Sequence, residues 1–181
     1  IEAELDNPVL FKKVMNDSLS THMYKSAGSG PNADYLVAKV AYERYKDEFI
    51  SVNVKDEWYH FNGMRFTHIE GAIELKKTFS DKIHLLYNTE MKKLVHTIGD
   101  QQTTDEAENT QIKQRILKFI QVSNQLKQKQ FKGRLLEECK EYFHNQDFES
   151  QLDCNIDLLG VNNGVIDFKN KCFRKGAPDD Y

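Results

Sequence analysis

Apolar residues recur along this chain at two different periods, and the change of period marks the change of element. Between residues 37 and 49, Val37, Val40, Ala41, Tyr45 and Phe49 fall three or four apart, which paints one face of a helix. At Phe49 the spacing shortens. The run Phe49-Ile50-Ser51-Val52-Asn53-Val54 is rich in β-branched residues and roughly alternates, so it predicts a strand. Trp58-Tyr59-His60-Phe61 and Met64-Arg65-Phe66 then flank Asn62-Gly63. An Asn-Gly pair between apolar runs predicts a hairpin closed by a two-residue type I′ turn, because both central positions need φ > 0. Trp58, the single tryptophan, is expected to form a local aromatic core with Phe61 and Phe66 against the preceding helix.

The helical period returns elsewhere. Residues 8–23 carry Val9, Leu10, Phe11, Val14, Met15, Leu19 and Met23, an amphipathic helix. Residues 25–31 (KSAGSGP) read as a small-residue loop, with Asn32 as N-cap of the next helix. A long helix is predicted over 70–98 from Ala72, Leu75, Phe79, Ile83, Leu86, Leu94 and Ile98, with Gly99 just past its end. The acidic, polar stretch 100–109 reads as a loop. Two more helices follow. Residues 110–129 turn Ile112, Ile116, Phe119, Ile120, Ser123 and Leu126 inward; residues 134–145 turn Leu135, Leu136, Cys139, Tyr142 and Phe143 inward. The last thirty residues are short apolar runs separated by Asn162-Asn163-Gly164 and Lys169-Asn170-Lys171, a β-meander.

The fold class that results is α+β: mainly α-helical, with a small antiparallel sheet at about 49–68 and a C-terminal β-meander. The two β regions are able to join into one sheet. Residues 1–31 form an N-terminal helix and flexible loop, and 32–181 one globular unit with a flexible joint at 99–109.

Composition narrows the function. The 181 residues are 39% hydrophobic and 29% charged, which suits a soluble globular protein, and the net charge of −3 rules out a chain-wide basic surface. Nucleic-acid contact would have to come from a local patch. There is no apolar run of about 18 residues, so no membrane partner is expected. The chain lacks a starting Met, has no apolar leader and ends abruptly at Asp179-Asp180-Tyr181, and so is expected to be part of something larger. Cys139, Cys154 and Cys172 form no CxxC pair and are expected as free thiols.

Sites for chemistry are scarce. No Gly-Lys-Ser/Thr triplet occurs, so KSAGSGP is not a phosphate loop. His22, His60, His68, His84 and His96 form no HxH, HxxxH or HExxH spacing, and no metal site is expected. A nucleophile elbow and an Asp-x-Asp pair are both absent. One charge pattern stands apart. Between Asn109 and Glu137 there are seven basic residues and no acidic one: Lys113, Arg115, Lys118, Lys127, Lys129, Lys132 and Arg134. On a single helix, Arg115, Lys118 and Lys129 would share a flank, and Phe131 among them would be placed to stack on a base. The competing reading is a solvated helix face whose long stems cover the core.

The closing segment, LLGVNNGVIDFKNKCFRKGAPDDY, resembles a signature that precedes the ATPase core in virus and phage primase–helicases. Leu158, Leu159, Asn163, Gly164, Val165, Asp167, Pro178, Asp180 and Tyr181 carry the match. Ala41, Tyr45, Trp58, Phe61 and Gly63 match that family's earlier pattern, with Phe66 standing where the family has a second tryptophan. The chain is therefore similar, over about residues 34–181, to the poxvirus-type primase–helicases of nucleocytoplasmic large DNA viruses. The matching part is the domain between the primase module and the superfamily 3 helicase module.

The resemblance implies a parent that is a hexameric, ATP-dependent DNA helicase, with ATP and magnesium bound beyond Tyr181 and any primase carboxylates upstream of Ile1. No catalytic residue carries over to this chain, which would need no cofactor of its own. Its expected role is a collar or connector between the ATPase and primase modules of the same chain and neighbouring subunits of a hexamer. It would help ring assembly or steer DNA at a viral replication site in the infected cell, a cytoplasmic factory. The alternative is a replisome interaction module with no DNA contact.

Overall fold

The structure, a computed structural model, describes residues 8–28, 34–52, 56–100 and 106–180. Asn32, the expected N-cap, and Tyr181 lie outside the described residues. The fold is α+β, as its periodicities indicate. In contact terms the chain divides into residues 1–44 with 76–139, and residues 45–75 with 140–181. The chain leaves the first unit, builds half of the second, and returns, so neighbours in space are not neighbours in sequence.

The first unit is helical. It draws on α1 (Pro8–Gly28), α2 (Asp34–Tyr45), α3 (Ile73–Thr78), α4 (His84–Asp100), α5 (Glu106–Gln125) and α6 (Lys129–Phe143), of which Tyr45, residues 73–75 and residues 140–143 belong to the second unit. Three of these differ from expectation. Helix α1 continues through Ser26 and Ala27, both buried, so residues 25–28 are not loop. Helix α4 runs through Gly99 to Asp100, and α5 already begins at Glu106, so residues 99, 100 and 106–109 are helical; the rest of the expected joint, 101–105, lies outside the described residues. The single long helix over 70–98 is interrupted by a π-helical turn, Phe79–Ile83.

That turn has a cause in the sequence. Leu75, Phe79, Ile83 and Tyr87 are all fully buried and all four residues apart. Four residues advance about 400° on an α-helix, so each step slips about 40° and three steps would carry the row about 120° around. A wider turn takes up the slip and keeps the row facing one way. Deeper in this unit, Ser26 Oγ donates to Met23 O at 2.7 Å and lies 2.7 Å from Tyr87 Oη. Since the serine proton is committed, the tyrosine donates. Burial pushes the Tyr87 phenol well above its usual range.

The second unit holds two separate three-stranded antiparallel sheets, β1 (Phe49–Ser51), β2 (Glu57–Phe61), β3 (Phe66–Glu70) and β4 (Leu158–Val161), β5 (Gly164–Asp167), β6 (Cys172–Arg174). They do not join. The hairpin exists, but with Phe61 opposite Phe66 its loop has four residues, not two. Only Gly63 has positive φ, at 91°. Asn62 Oδ1 instead accepts from Met64 N at 3.0 Å and Arg65 N at 3.1 Å, an Asx-type closure that leaves Asn62 itself unstrained.

Trp58 is fully buried, and its ring lies 5.9 Å from that of Phe143 in α6. Ile50, Val52 and Phe148 form a further core, with Tyr59, Phe66 and Leu152 packed on it. Phe148 belongs to a one-turn helix, α7 (Phe148–Gln151). The aromatic core is thus closed by residues from far along the chain, which local periodicity does not foresee.

Candidate nucleic-acid interface

Helix α5 and the start of α6 carry the acid-free stretch. Lys113, Arg115, Lys118, Lys127, Lys129 and Arg134 are exposed, and Lys132 is half-buried. Their grouping differs from the single-helix expectation. A turn at Leu126–Gln128, held by Lys127 N→Asn124 O (3.2 Å) and Gln128 N→Gln125 O (2.8 Å), ends α5, so Lys129 begins a new helix and shares no flank with Arg115 and Lys118. Leu126 is fully buried at this turn, which its burial anchors.

Phe131 is also not placed to stack on a base. It is buried, with the Arg134 guanidinium 5.6 Å from its ring centroid. Arg134 Nε pairs with Asp34 Oδ2 at 2.8 Å, and Lys132 Nζ donates to Ser80 Oγ at 2.8 Å. These two cations have structural employment. Lys127 acts on His84, whose imidazole is held below its usual pKa first by burial and then by this lysine, against the opposing pull of Asp81.

Arg115 and Lys118 differ from the rest. They sit one helical turn apart, as positions i and i+3 do, and line a hollow of about 450 Å³ with Tyr24, Lys25 and Gly28 of α1. The Arg115 guanidinium lies over the Tyr24 ring, 5.9 Å from its centroid. Phe119 buttresses that ring edge-on at 5.1 Å. The Tyr24 phenol is raised above its usual range, first by burial and then by Glu90, against the opposing pull of Arg115 and Lys93. It is therefore an O–H donor at neutral pH. Among the described residues, neither Arg115 nor Lys118 has a carboxylate in ion-pairing range. Tyr24 and Lys25 were missed because α1 was ended at Met23; the four-residue step from Met23 to Ala27 was the signal that the helix goes on.

Two of the signature residues, Asp167 and Asp180, form with Arg174 a different kind of cluster, a polar clasp. Asp167, buried, accepts from Asn170 N at 2.8 Å and Asn170 Nδ2 at 2.9 Å, and its Oδ2 lies 3.6 Å from Arg174 Nε. Arg174 grips Asp180 with both terminal nitrogens, at 2.7 and 2.6 Å. Ala177 N also donates to Asp180 Oδ2 at 2.7 Å. Hydrogen bonds from Asn170 hold the Asp167 carboxyl below its usual range, and those from Arg174 and then Ala177 N do so for Asp180. Asp180 in turn drives Arg174 up.

Gly164 is required by space: a Cβ there would meet Arg174 O at 2.5 Å and the Phe173 ring. One at Gly176 would collide with the Met64 backbone, so the closing motif lies directly on the hairpin loop that holds Gly63. The two end motifs do meet, through this contact and not through a shared sheet. Pro178 stands in the last turn, Leu158 is half-buried, and Leu159 and Asn163 are exposed.

Among the described residues, no three histidine, cysteine or acidic side chains come together to hold a metal ion. No helix among them is long and apolar enough to cross a membrane.

The chain is 30% identical over 148 residues to a protein of Acanthamoeba polyphaga mimivirus that is named as a helicase, L207/L206, covering 81% of this chain and 15% of that one. It is 25% identical over 169 residues to a helicase-named protein of Invertebrate iridescent virus 3, 121R, covering 82% and 18%. To 022R of Frog virus 3, also named as a helicase, it is 23% identical over 172 residues, covering 80% and 18%. The chain thus spans less than a fifth of the length of these curated relatives. The family described as D5 N terminal like matches residues 38–181, from within α2 through the whole clasp. This chain belongs to that family, the helicase-associated D5 N-terminal-like domains of large DNA viruses.

Proposed function

We propose that this chain is a non-catalytic domain of a viral replication primase–helicase, linking primase and superfamily 3 ATPase modules and helping to steer DNA. The observation that carries the DNA part is the exposed, acid-free cation set on α5 and the start of α6. Lys113, Arg115, Lys118, Lys127 and Lys129 stay exposed while Lys132 and Arg134 are engaged. In a chain of net charge −3, such a set is a local anion-facing surface. ATP and magnesium belong, in this reading, to the ATPase module of the whole protein, and the domain works in a ring at the replication site of an infected cell.

Fluorescence anisotropy of this chain with single-stranded and forked DNA tests the reading. Binding should weaken steeply with salt. A well-folded chain that shows no binding at low salt sinks it.

A second reading is favoured by one feature. Register aligns Leu159, Ile166 and Phe173 across β4, β5 and β6, and Leu159 and Phe173 are 48% and 57% exposed. Such an apolar row suits a protein partner in a replisome. In that case DNA binding would be absent, and light scattering with a partner module would report the contact.

A further inference from the structure

The hollow between α1 and α5 is more specific than a charged surface needs to be. Arg115 is held over an aromatic ring that is itself buttressed, so its planar fork is presented with little loss of freedom. Lys118 adds a second cation one turn along, and Tyr24 adds a protonated hydroxyl. A volume of about 450 Å³ lies in the range of small-ligand sites, about 300–1,000 Å³. A duplex presents its phosphates on a broad convex backbone and cannot enter such a hollow; one unit of an unpaired strand can.

Resting on the DNA-steering reading, we propose that this hollow is a single-nucleotide subsite for single-stranded nucleic acid. One backbone phosphate is held between Arg115 and Lys118, and the attached sugar and base lie against the rim at Tyr24. Arg115 supplies a bidentate contact to the phosphate oxygens. Tyr24 contributes its hydroxyl and fixes the guanidinium. Tyr24 and Lys25 precede residues 38–181, so this subsite is assembled partly from a helix outside the family match.

The test is anisotropy of this 181-residue chain with a labelled oligothymidine, a hairpin duplex of equal length as competitor, and ATP and inorganic phosphate as free-anion competitors. Single strands lose affinity with a log–log salt slope of about −0.7 per phosphate contact. Arg115→Ala with Lys118→Ala, which together hold one phosphate, should therefore flatten the slope by about 0.7. Equivalently, it removes about a 2.6-fold share of the loss between about 50 and 200 mM salt.

Tyr24→Leu should weaken binding and Tyr24→Phe should restore part of it, since the ring survives. Lys77→Ala with Lys169→Ala, two exposed lysines outside the cation set, should leave the slope unchanged, and Lys127→Ala with Lys129→Ala reads the share carried by the rest of the set. Both Arg115 and Lys118 are exposed, so circular dichroism should show unchanged helix in every variant at these two positions.

If the Lys127 and Lys129 pair carries the loss and the hollow pair does not, the subsite falls while the DNA reading stands. No binding by the folded parent removes both. Displacement of the strand by ATP or phosphate as effective as by unlabelled oligothymidine overturns the strand assignment in favour of a free anion, and equal competition by duplex overturns single-strand selectivity.

Discussion

Arginine does opposite work in the two units. In the β-rich unit, Arg174 is held between Asp167 and Asp180. In the helical unit, Arg115 rests on Tyr24 beside an open hollow, with no carboxylate in pairing range among the described residues. Two signature residues, Asp167 and Asp180, lie in the first kind of environment, and Gly164 packs beside it, where a Cβ would meet Arg174 O. The ligand-facing candidates carry no motif, because an open cation needs only charge and reach. Recognition here marks what holds the fold, and plain charge counting marks what faces outward.

The comparison can be broken most forcefully at Trp58. Trp58→Ala removes a fully buried indole and should cost about 3–5 kcal/mol, read by thermal or urea unfolding. Its Nε1 has no acceptor among the described residues, so Trp58→Phe should be much milder. Next comes Gly176→Ala, which drives a methyl into the Met64 backbone and should cost about 1–3 kcal/mol. An unchanged midpoint would mean that the two end motifs are not in contact.

Acid offers a gentler probe. Asp167 and Asp180 both have depressed native pKa values, so their stabilisation is fully present above the ordinary aspartate value of about 3.9 and is lost as pH falls through the lower native values. Unfolding midpoints should therefore drop below about pH 4 in the parent, and the drop should shrink in Arg174→Gln. The smallest effect is expected at Arg134, which is exposed and paired with Asp34: Arg134→Ala should cost about 0–1 kcal/mol. A larger loss would show that it belongs with Arg174 and not with the surface cations.

Much of the fold was legible because periodicity is local. The meander, the hairpin strands and the helices over 8–23, 110–129 and 134–145 follow from spacing that neighbours enforce. The failures share a physical origin in tertiary demand. The helix end at Gln125 depends on Leu126 finding a core, which no propensity reports. The four-residue loop depends on the Asn62 carbonyl capturing two amides, which outcompetes a two-residue turn.

Phe131 was read as a surface ring because basic residues surround it in sequence, yet the helix turns it inward and leaves its neighbours out. The hollow was half visible: Arg115 and Lys118 were singled out by charge, while Tyr24 and Lys25 needed the three-dimensional approach of α1.

The π turn gives the chain an unusual tolerance in length. Elsewhere in a helix, loss of one codon rotates everything downstream by about 100° and swaps its buried and exposed faces. Within Phe79–Ile83 the same loss, at exposed Asp81 for example, converts the wide turn into an ordinary one and leaves the downstream row on its own side. A single-codon deletion there should yield a folded chain, and one placed at Thr89 should not, as judged by soluble yield and helical circular dichroism. The helix holds one spare residue, and its location shows where this sequence can shorten without losing its core.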